Sequence, residues 1–482
     1  MKALTLPRLV TALAFLGVFA LALRTPADTD MYWHLATGRF MAATRAIPMS
    51  DPFSWTMRGA PWVDVHWLSQ VILYGVYQLA GLGGLALGVG LLAVAAFAFV
   101  WKQMSGGVFL RAAIILLAAT TASPNLTPRS QMATFVFVAV LGYLLFLYKW
   151  RQIDRLWWLP VIFVLWVNLH GGYIAGFMLL GAFIAGEALS NLLQLSGVEI
   201  VAWRRLIKVV IVTLMSGAVL LLNPYTVAAL QLPFKTVNIG VLQDFIQEWA
   251  SPNFHQPSLQ PMLWLLLLTL AAIGFSRRRL DLTDAVTLAL FAYLTFLAQR
   301  NIGLFALVCA PILSRHVSAM IERSRWGQRS LSRGKPIVNA VLLGVIAVAV
   351  ILYTIVTLSP AAQSKAEAQA LPVAAANWID QNKPRGPLFN SYNWGGYLLW
   401  RLGAAYPVYV DGRTDVYDDA FLRNFLAITL VSPDYDRRLA NTGAQLVLIE
   451  SGSVLDHFLA RHAGWREAYR DELAVIYRRV TG

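Results

Sequence analysis

The chain has a single cysteine, Cys309, and few charges: of 482 residues, 13% are Asp, Glu, Lys or Arg, about half the share of a soluble domain. One thiol excludes an intrachain disulfide and any metal site built from cysteines, and it reads as core packing. The shortage of charge stands against 58% hydrophobic residues and a mean hydropathy of +0.58. Together these exclude most cytosolic enzymes and secreted disulfide scaffolds and predict an integral membrane protein. Acidic residues are scarcer than basic ones, 25 against 39, for a net charge of +14. That surplus would suit a nucleic-acid binder, but it is unevenly placed. Residues 1–360 hold 26 basic and 12 acidic side chains, whereas residues 361–482 hold 13 of each. The excess therefore follows the apolar part, as the positive-inside bias of membrane loops requires, and calls for no nucleic acid.

Apolar runs able to cross a bilayer core of about 30 Å fall near 7–24, 80–101, 106–122, 131–148, 156–169, 173–192, 208–222, 262–275, 283–299, 301–319 and 337–358, eleven in all. No small-x-small cleavage site precedes Asp28, so 7–24 reads as a span rather than a cleaved signal. With the N-terminus inside, 19 of the 26 basic residues of this part fall on the cytoplasmic side, including the run Arg323, Arg325, Arg329, Arg333 and Lys335. Counting 67–80 as a further span would reverse every later loop and turn that run outward. The segment is therefore expected to be an interfacial or re-entrant helix. Eleven spans place the first loop (25–66), a later loop (223–261) and the tail (361–482) outside.

The tail begins at SPAAQSKAEAQALP, a small-residue linker by composition. Short β-rich runs at 387–390, 406–410, 444–450 and 473–479 alternate with helical stretches near 370–382, 393–402, 418–430 and 453–463, which predicts a small α/β domain. Internal repeats, low-complexity tracts and lipidation motifs are absent from the sequence.

Sorting polar groups by side gathers the unusual ones on the outer face: Asp28, Asp30, His34, Asp51, Asp64 and His66 from the first loop, then Arg129, His170, Asn223, Asp244, Glu248, Arg300 and Asn301. The first loop is long for a connector and rich in Trp, Asp and His, a pattern more common in functional loops than in plain links. Asp30 and His34 are four apart and share a face if a helix begins near Asp28. Either aspartate also reads as a helix N-cap, and Trp33, Trp62 and Trp67 as an interfacial aromatic belt. Arg129 and Arg300, at span ends, either snorkel or clamp a phosphate. His170 is a turn histidine or a substrate contact, and Glu248 a solvated carboxylate or a site group. GLGGLALGVG lacks the Lys-Ser/Thr of a phosphate loop and reads as helix packing. In the tail, SYNWGGYLLWRLG and VYVDGRTDVYDD stand out, with Asp411-Gly412-Arg413 either a turn or a contribution to acceptor binding.

Asp28-Thr29-Asp30 just past the first span, followed by YWHLATG, DPFSW and PWVDVHWLS, resembles the large outer loop of the GT-C superfamily of polytopic glycosyltransferases. That group includes the protein O-mannosyltransferases, the aminoarabinose transferases of lipid A and the RgtA/B/C/D-like bacterial membrane proteins. NLHGG, NPY, QEW, QRN and the tail motifs are similar to those of bacterial relatives. The resemblance implies a donor sugar on a polyprenyl phosphate, moved with inversion to a glycan, lipid or protein acceptor on the outer face of a bacterial cytoplasmic membrane. It implies that Asp28 or Asp30 is the general base, or helps hold a divalent metal, magnesium or manganese, for which Asp28, Asp30 and His34 are the candidate ligands, with Asp64 and His66 nearby. Arg129, Arg300 or a protonated His66 would steady the departing phosphate, with Glu248, His170 and Asn301 lining the substrate site. The tail would bind substrate or an envelope protein partner. Two alternatives stay open at this point: a polysaccharide polymerase or ligase, and a non-catalytic accessory protein that keeps the fold. A transporter fits less well, because ionisable residues at mid-span are few.

Overall fold

The computed structural model describes residues 4–237, 240–322 and 335–480; the arginines 323–333 lie outside them. The membrane part begins with α1 (Leu6–Ala22), α2 (Thr29–Thr44), α3 (Trp67–Gln103), α4 (Val108–Ala122), α5 (Gln131–Trp150), α6 (Trp158–Leu169) and α7 (Tyr173–Leu192). It continues with α8 (Trp203–Ala218), α9 (Val227–Val237), α10 (Gly240–Phe245), α11 (Gln260–Phe275), α12 (Leu282–Leu297), α13 (Ile302–Glu322) and α14 (Pro336–Thr357). Among the described residues seven helices are long and apolar enough to cross a membrane, and α1, α6, α11 and α12 are shorter apolar helices at the other expected positions.

Large apolar side chains such as Leu91, Leu214, Trp264, Phe275, Ile337 and Val345 are exposed. Apolar surface on that scale needs lipid rather than water against it, and the chain is a multi-pass membrane protein. Helix α14 sits at the edge of the bundle: Asn339 is its one buried residue, and it is tied to α1 through a hydrogen bond from Asn339 Nδ2 to the Leu4 carbonyl (2.8 Å). The common core runs through Val18, Phe97, Ile115, Phe163, Leu265 and Phe305.

Helix α3 is interrupted at Gly81, whose φ of 61° and ψ of −159° belong to a region essentially restricted to glycine. Trp67–Ala80 is thereby a separate rod packed along α2. The close approach is at Gly38, where any Cβ would collide with the Gln70 carbonyl.

At the end of the bundle away from residue 131, α5, α7 and α12 are joined by buried charge. Lys149 pairs with Glu187 and with Asp281 (2.5 Å), and Glu187 also accepts from Thr283 Oγ1 (2.6 Å) and the Val201 amide (2.7 Å). Arg315 makes a two-pronged contact with Asp284 (2.6 and 3.2 Å). These groups are compensated and mark helix ends, in keeping with the scarcity of ionisable residues at mid-span.

The tail holds α15 (Pro360–Ala370), α16 (Val373–Asn382), β1 (Leu388–Asn390), α17 (Gly395–Leu402), α18 (Asp419–Thr429), α19 (Tyr435–Thr442), β2 (Leu446–Glu450), α20 (Val454–Leu459), β3 (Trp465–Arg470) and β4 (Ala474–Arg479). The sheet order is β1-β2-β4-β3, with β1 parallel to β2 and the other pairs antiparallel. Three details differ from the sequence expectation. The linker segment is helical, because Ser359 caps it through the Ala362 amide (3.2 Å) and Pro360 opens a run of Ala, Gln, Glu and Lys, all strong helix formers. Residues 406–410 form no strand and touch strand geometry once, at a bridge from Val408 to Ser54. Strand β3 was hidden by its polar composition; WREAYR is an edge strand with one solvated face.

The sheet alternates as a strand must, and its two faces enter two cores. Leu388, Leu446, Leu448 and Ile476 pack with Met31, Tyr32 and Leu35 of α2, together with Trp394 and Leu398. Phe389, Val447, Ile449, Val475 and Tyr477 pack with Tyr409, Tyr417, Leu422 and Phe425. Part of the first loop is thus built into the core of the tail.

Candidate active site

The site lies where the start of α2 meets the 126–130 and 247–249 segments, under the tail. Asp28 ends an extended stretch and caps α2, accepting from the amides of Asp30 (2.9 Å) and Met31 (3.4 Å); the helix N-terminus favours the negative charge there. Its other oxygen takes the Arg129 Nε–H at 2.6 Å. Arg129 Nη1 lies 2.8 Å from Asp30 Oδ2 and 2.7 Å from Glu248 Oε1. One guanidinium therefore holds three carboxylates from two distant parts of the chain. Burial pushes the Asp30 carboxyl up to about 7 against the pull of Arg129, with the charges of Asp28 and Glu248 adding to the rise. Glu248 is held below its usual range by Arg129 and Arg300, although burial opposes this.

Beside this centre, three imidazoles line up. The rings of His34 and His66 are 5.4 Å apart and those of His66 and His170 5.2 Å apart, while the Trp33 indole lies 3.6 Å from the His34 ring. His66 Nδ1 meets Ser130 Oγ (3.0 Å). His170 Nδ1 accepts the Gly172 amide (3.0 Å) and faces Thr134 Oγ1 (2.7 Å), which leaves the Nε2 proton as its donor. Burial lowers all three, His66 to about 4 with Arg300 adding to the effect. These shifts favour the neutral rings and run against the expected protonated His66, because a desolvated imidazole near a guanidinium resists a further charge.

Asp64, fully buried, accepts from the His66 amide (3.1 Å) and Gln70 Nε2 (2.9 Å), and burial, reinforced by Asp415, pushes it up to about 8. Arg300 lies over the Trp249 ring at 4.4 Å and has no carboxylate partner among the described residues. It faces His66, His170 and Glu248.

Of the residues singled out from sequence, Asp28, Asp30, Arg129 and Glu248 form one cluster, and His34, Asp64, His66, His170 and Arg300 surround it. The Asn301 side-chain amide donates to the Leu294 carbonyl (2.9 Å) at the end of α12. Asn223 is likewise spent on backbone, donating to the Val167 carbonyl (2.9 Å), and the Asp244 side chain lies outside the described residues. The expected metal set of Asp28, Asp30 and His34 does not fit a cation as the residues stand. Both aspartates are committed to Arg129, and His34 Nδ1 faces Gln70 Nε2 (3.4 Å). Among the described residues no three His, Cys, Asp or Glu side chains come together as a metal-holding group.

The tail supplies groups that no sequence pattern tied to this place. Arg413 is fully buried, gripping Asp411 through Nε (2.8 Å) and Nη2 (2.7 Å) and Asp51 of the first loop through Nη1 (2.6 Å). Residues 54–56 run beside residues 408–409, with Trp55 N on the Val408 carbonyl (3.1 Å) and Thr56 Oγ1 on the Tyr409 carbonyl (2.7 Å). Gly412 lies against the Asp30 carboxylate, and Gly396 against the Thr29 carbonyl. The Trp33 Nε1–H, next to Gly412, is buried without a hydrogen-bond partner among the described residues. Tyr392 faces Asp30, Asp411 and Glu248 and is held well above its usual range by burial and those charges.

In fold, this multi-pass helical bundle with an acidic first loop closed over by a small sheet domain is similar to solved GT-C glycosyltransferases. The solved structures bear this out: the archaeal oligosaccharyltransferase AglB from Archaeoglobus fulgidus, in complex with an inhibitory peptide and a dolichol-phosphate, is similar at a TM-score of 0.57 and 11% identity over 92% of this chain and 69% of that one. The apo Archaeoglobus fulgidus oligosaccharyltransferase is similar at a TM-score of 0.59 and 12% identity, with the same shares covered. ArnT from Cupriavidus metallidurans, bound to undecaprenyl phosphate, is similar at a TM-score of 0.52 and 14% identity over 98% of this chain and 97% of that one. No family model matches the chain, and no curated protein sequence does so at a significant level.

Proposed function

We propose that the protein is a membrane glycosyltransferase that moves a sugar from a polyprenyl-phosphate donor to a hydroxyl on a glycan, lipid or protein, on the outer face of a bacterial cytoplasmic membrane, with the N-terminus inside. The observation that carries this reading is Asp30. Its Oδ2 is fixed by Arg129, its Oδ1 has no hydrogen-bond partner among the described residues, and burial holds it near neutrality, where a general base works best. Asp30 takes the acceptor proton as the acceptor oxygen bonds to the anomeric carbon; the bond from that carbon to the phosphate oxygen breaks, and polyprenyl phosphate leaves with its electron pair. The configuration inverts. Arg300, which has no carboxylate at ion-pair distance among the described residues, is suited to the phosphate, with the His170 Nε2–H as a neutral donor beside it. Asp28 caps α2 and orients Arg129. The dolichol-phosphate of the AglB structure and the undecaprenyl phosphate of the ArnT structure support a lipid-phosphate donor. Since the tail buries its faces against the chain's own first loop, we assign it to the acceptor side of the site rather than to an envelope protein partner.

The test is label transfer from a panel of radiolabelled polyprenyl-phosphate sugars in membranes, comparing wild type with Asp30→Asn, Asp28→Asn and Arg300→Ala at matched expression. Transfer is expected to vanish in Asp30→Asn and to need far more donor in Arg300→Ala. No transfer from any donor, with Asp30→Asn still complementing a deletion strain, would instead establish an accessory role.

A further inference from the structure

We propose that the Arg129 guanidinium takes the place of a bridging divalent cation at the acidic centre, so that the site works with a cation built into the chain. The claim deepens the transferase reading but rests on geometry of its own. Asp28, Asp30 and Glu248 come from two regions more than 200 residues apart in sequence to one guanidinium, Asp28 at Nε of Arg129 (2.6 Å) and Asp30 and Glu248 both at Nη1 (2.8 and 2.7 Å). Carboxylate oxygens are the donors a hard divalent ion uses, but as they stand around Arg129 these three do not form a metal-holding group. Here one oxygen each of Asp28 and Glu248 already accepts an Arg129 N–H, and Asp30 Oδ2 lies 2.8 Å from Nη1. A guanidinium has no lone pair for a metal, and its charge at hydrogen-bond distance from every ligand repels one. The arginine is also held against escape: its side chain is 19% exposed, and Ser130, the next residue, is fixed to His66. A fixed cation keeps Asp30 oriented toward the tail while leaving Oδ1 to act. The second cation, Arg300, is left for the substrate side.

The experiment is a Mn²⁺ titration of the full-length protein in detergent, read by electron paramagnetic resonance and by thermal unfolding, with no sugar donor present. The inference therefore stands or falls apart from the transferase activity. Wild type, after dialysis against EDTA, is expected to show no stoichiometric Mn²⁺ site up to about 1 mM and no change in melting temperature. Arg129→Gln, which leaves the three carboxylates facing one another, is expected to melt lower and to regain stability with one bound Mn²⁺. Arg129→Lys, which keeps the charge and tolerates folding better, is expected to bind no Mn²⁺. One tightly bound Mn²⁺ in wild type that Asp30→Asn removes would overturn the inference, and so would an Arg129→Gln protein that folds and takes up no cation.

Discussion

Replacing Gly412 by alanine adds one methyl group at the point where tail and first loop touch. Its backbone does not demand glycine through a positive φ; the demand is for space. A Cβ at 412 would overlap Asp30 Oδ1 and lie 3.1 Å from Asp30 Cγ and 3.4 Å from Trp33 Nε1. Non-bonded carbons settle at about 3.5–4.0 Å, so the carboxylate has to withdraw by roughly half an ångström or more. The 411–413 loop cannot yield instead, because Arg413 locks it between Asp411 and Asp51. Overpacking of this kind costs about 1–3 kcal/mol, tolerable for the fold. The chemistry is less forgiving, since a misplacement of about 1 Å at a reacting group costs on the order of 100-fold in rate. Gly412→Ala is therefore expected to lower sugar transfer on the order of 100-fold while shifting the melting temperature by a few degrees at most. Gly217→Ala, on a helix face where an added Cβ meets nothing within 4 Å, is the control and should be active. Transfer by Gly412→Ala within a factor of three of wild type would refute the claim that this contact sets the Asp30 carboxylate.

The raised carboxyl of Asp30 implies that transfer climbs as pH passes through about 7; replacing it by glutamate should move that limb, whereas a limb unchanged in Asp30→Glu assigns it to another group. Burial raises the Asp64 carboxyl to about 8 from its ordinary 3.8. A group raised on folding stabilises most below its unfolded pKa and loses that contribution as pH rises through the folded one. Wild type should therefore lose stability from about pH 4 to 8, and Asp64→Asn, which mimics the protonated acid, should melt no lower at pH 7.5 and show a flatter pH profile. Arg413→Ala leaves Asp411 and Asp51 buried without their cation, for which about 3–5 kcal/mol is the usual cost; lower melting and faster proteolysis within residues 360–372 are expected, and unchanged cleavage would argue against the clamp.

The fold was open to sequence reading because its strongest signal, apolar runs of span length, needs no partner: the eleven runs are all helical, and Gly81 breaks the chain where 67–80 was set apart from the next span. Short β-rich runs also disclosed β2 and β4. The site was legible in part. Asp28, Asp30 and His34 declared themselves by local spacing, and sorting by side brought Arg129, Glu248 and Arg300 into view. Their roles were not, because a role depends on what lies opposite: Arg129 reads as a phosphate clamp until Asp28 and Glu248 are found on it, and His66 as a cation until its burial is seen. The Asp51–Arg413 pair, 362 residues apart, leaves no trace in any local window.

That separation bears on how the protein is made. The first loop carries the acids, yet Met31, Tyr32 and Leu35 find apolar neighbours, and Asp51 its counter-ion, in the tail, far along the chain. Closing contacts of such span is slow, since the entropy of joining distant points is lost before any of them rewards it. During synthesis the loop stays incompletely packed until the tail emerges and settles onto it. Truncations within the tail that spare every membrane helix are thus expected to yield an inserted protein whose candidate site is left open.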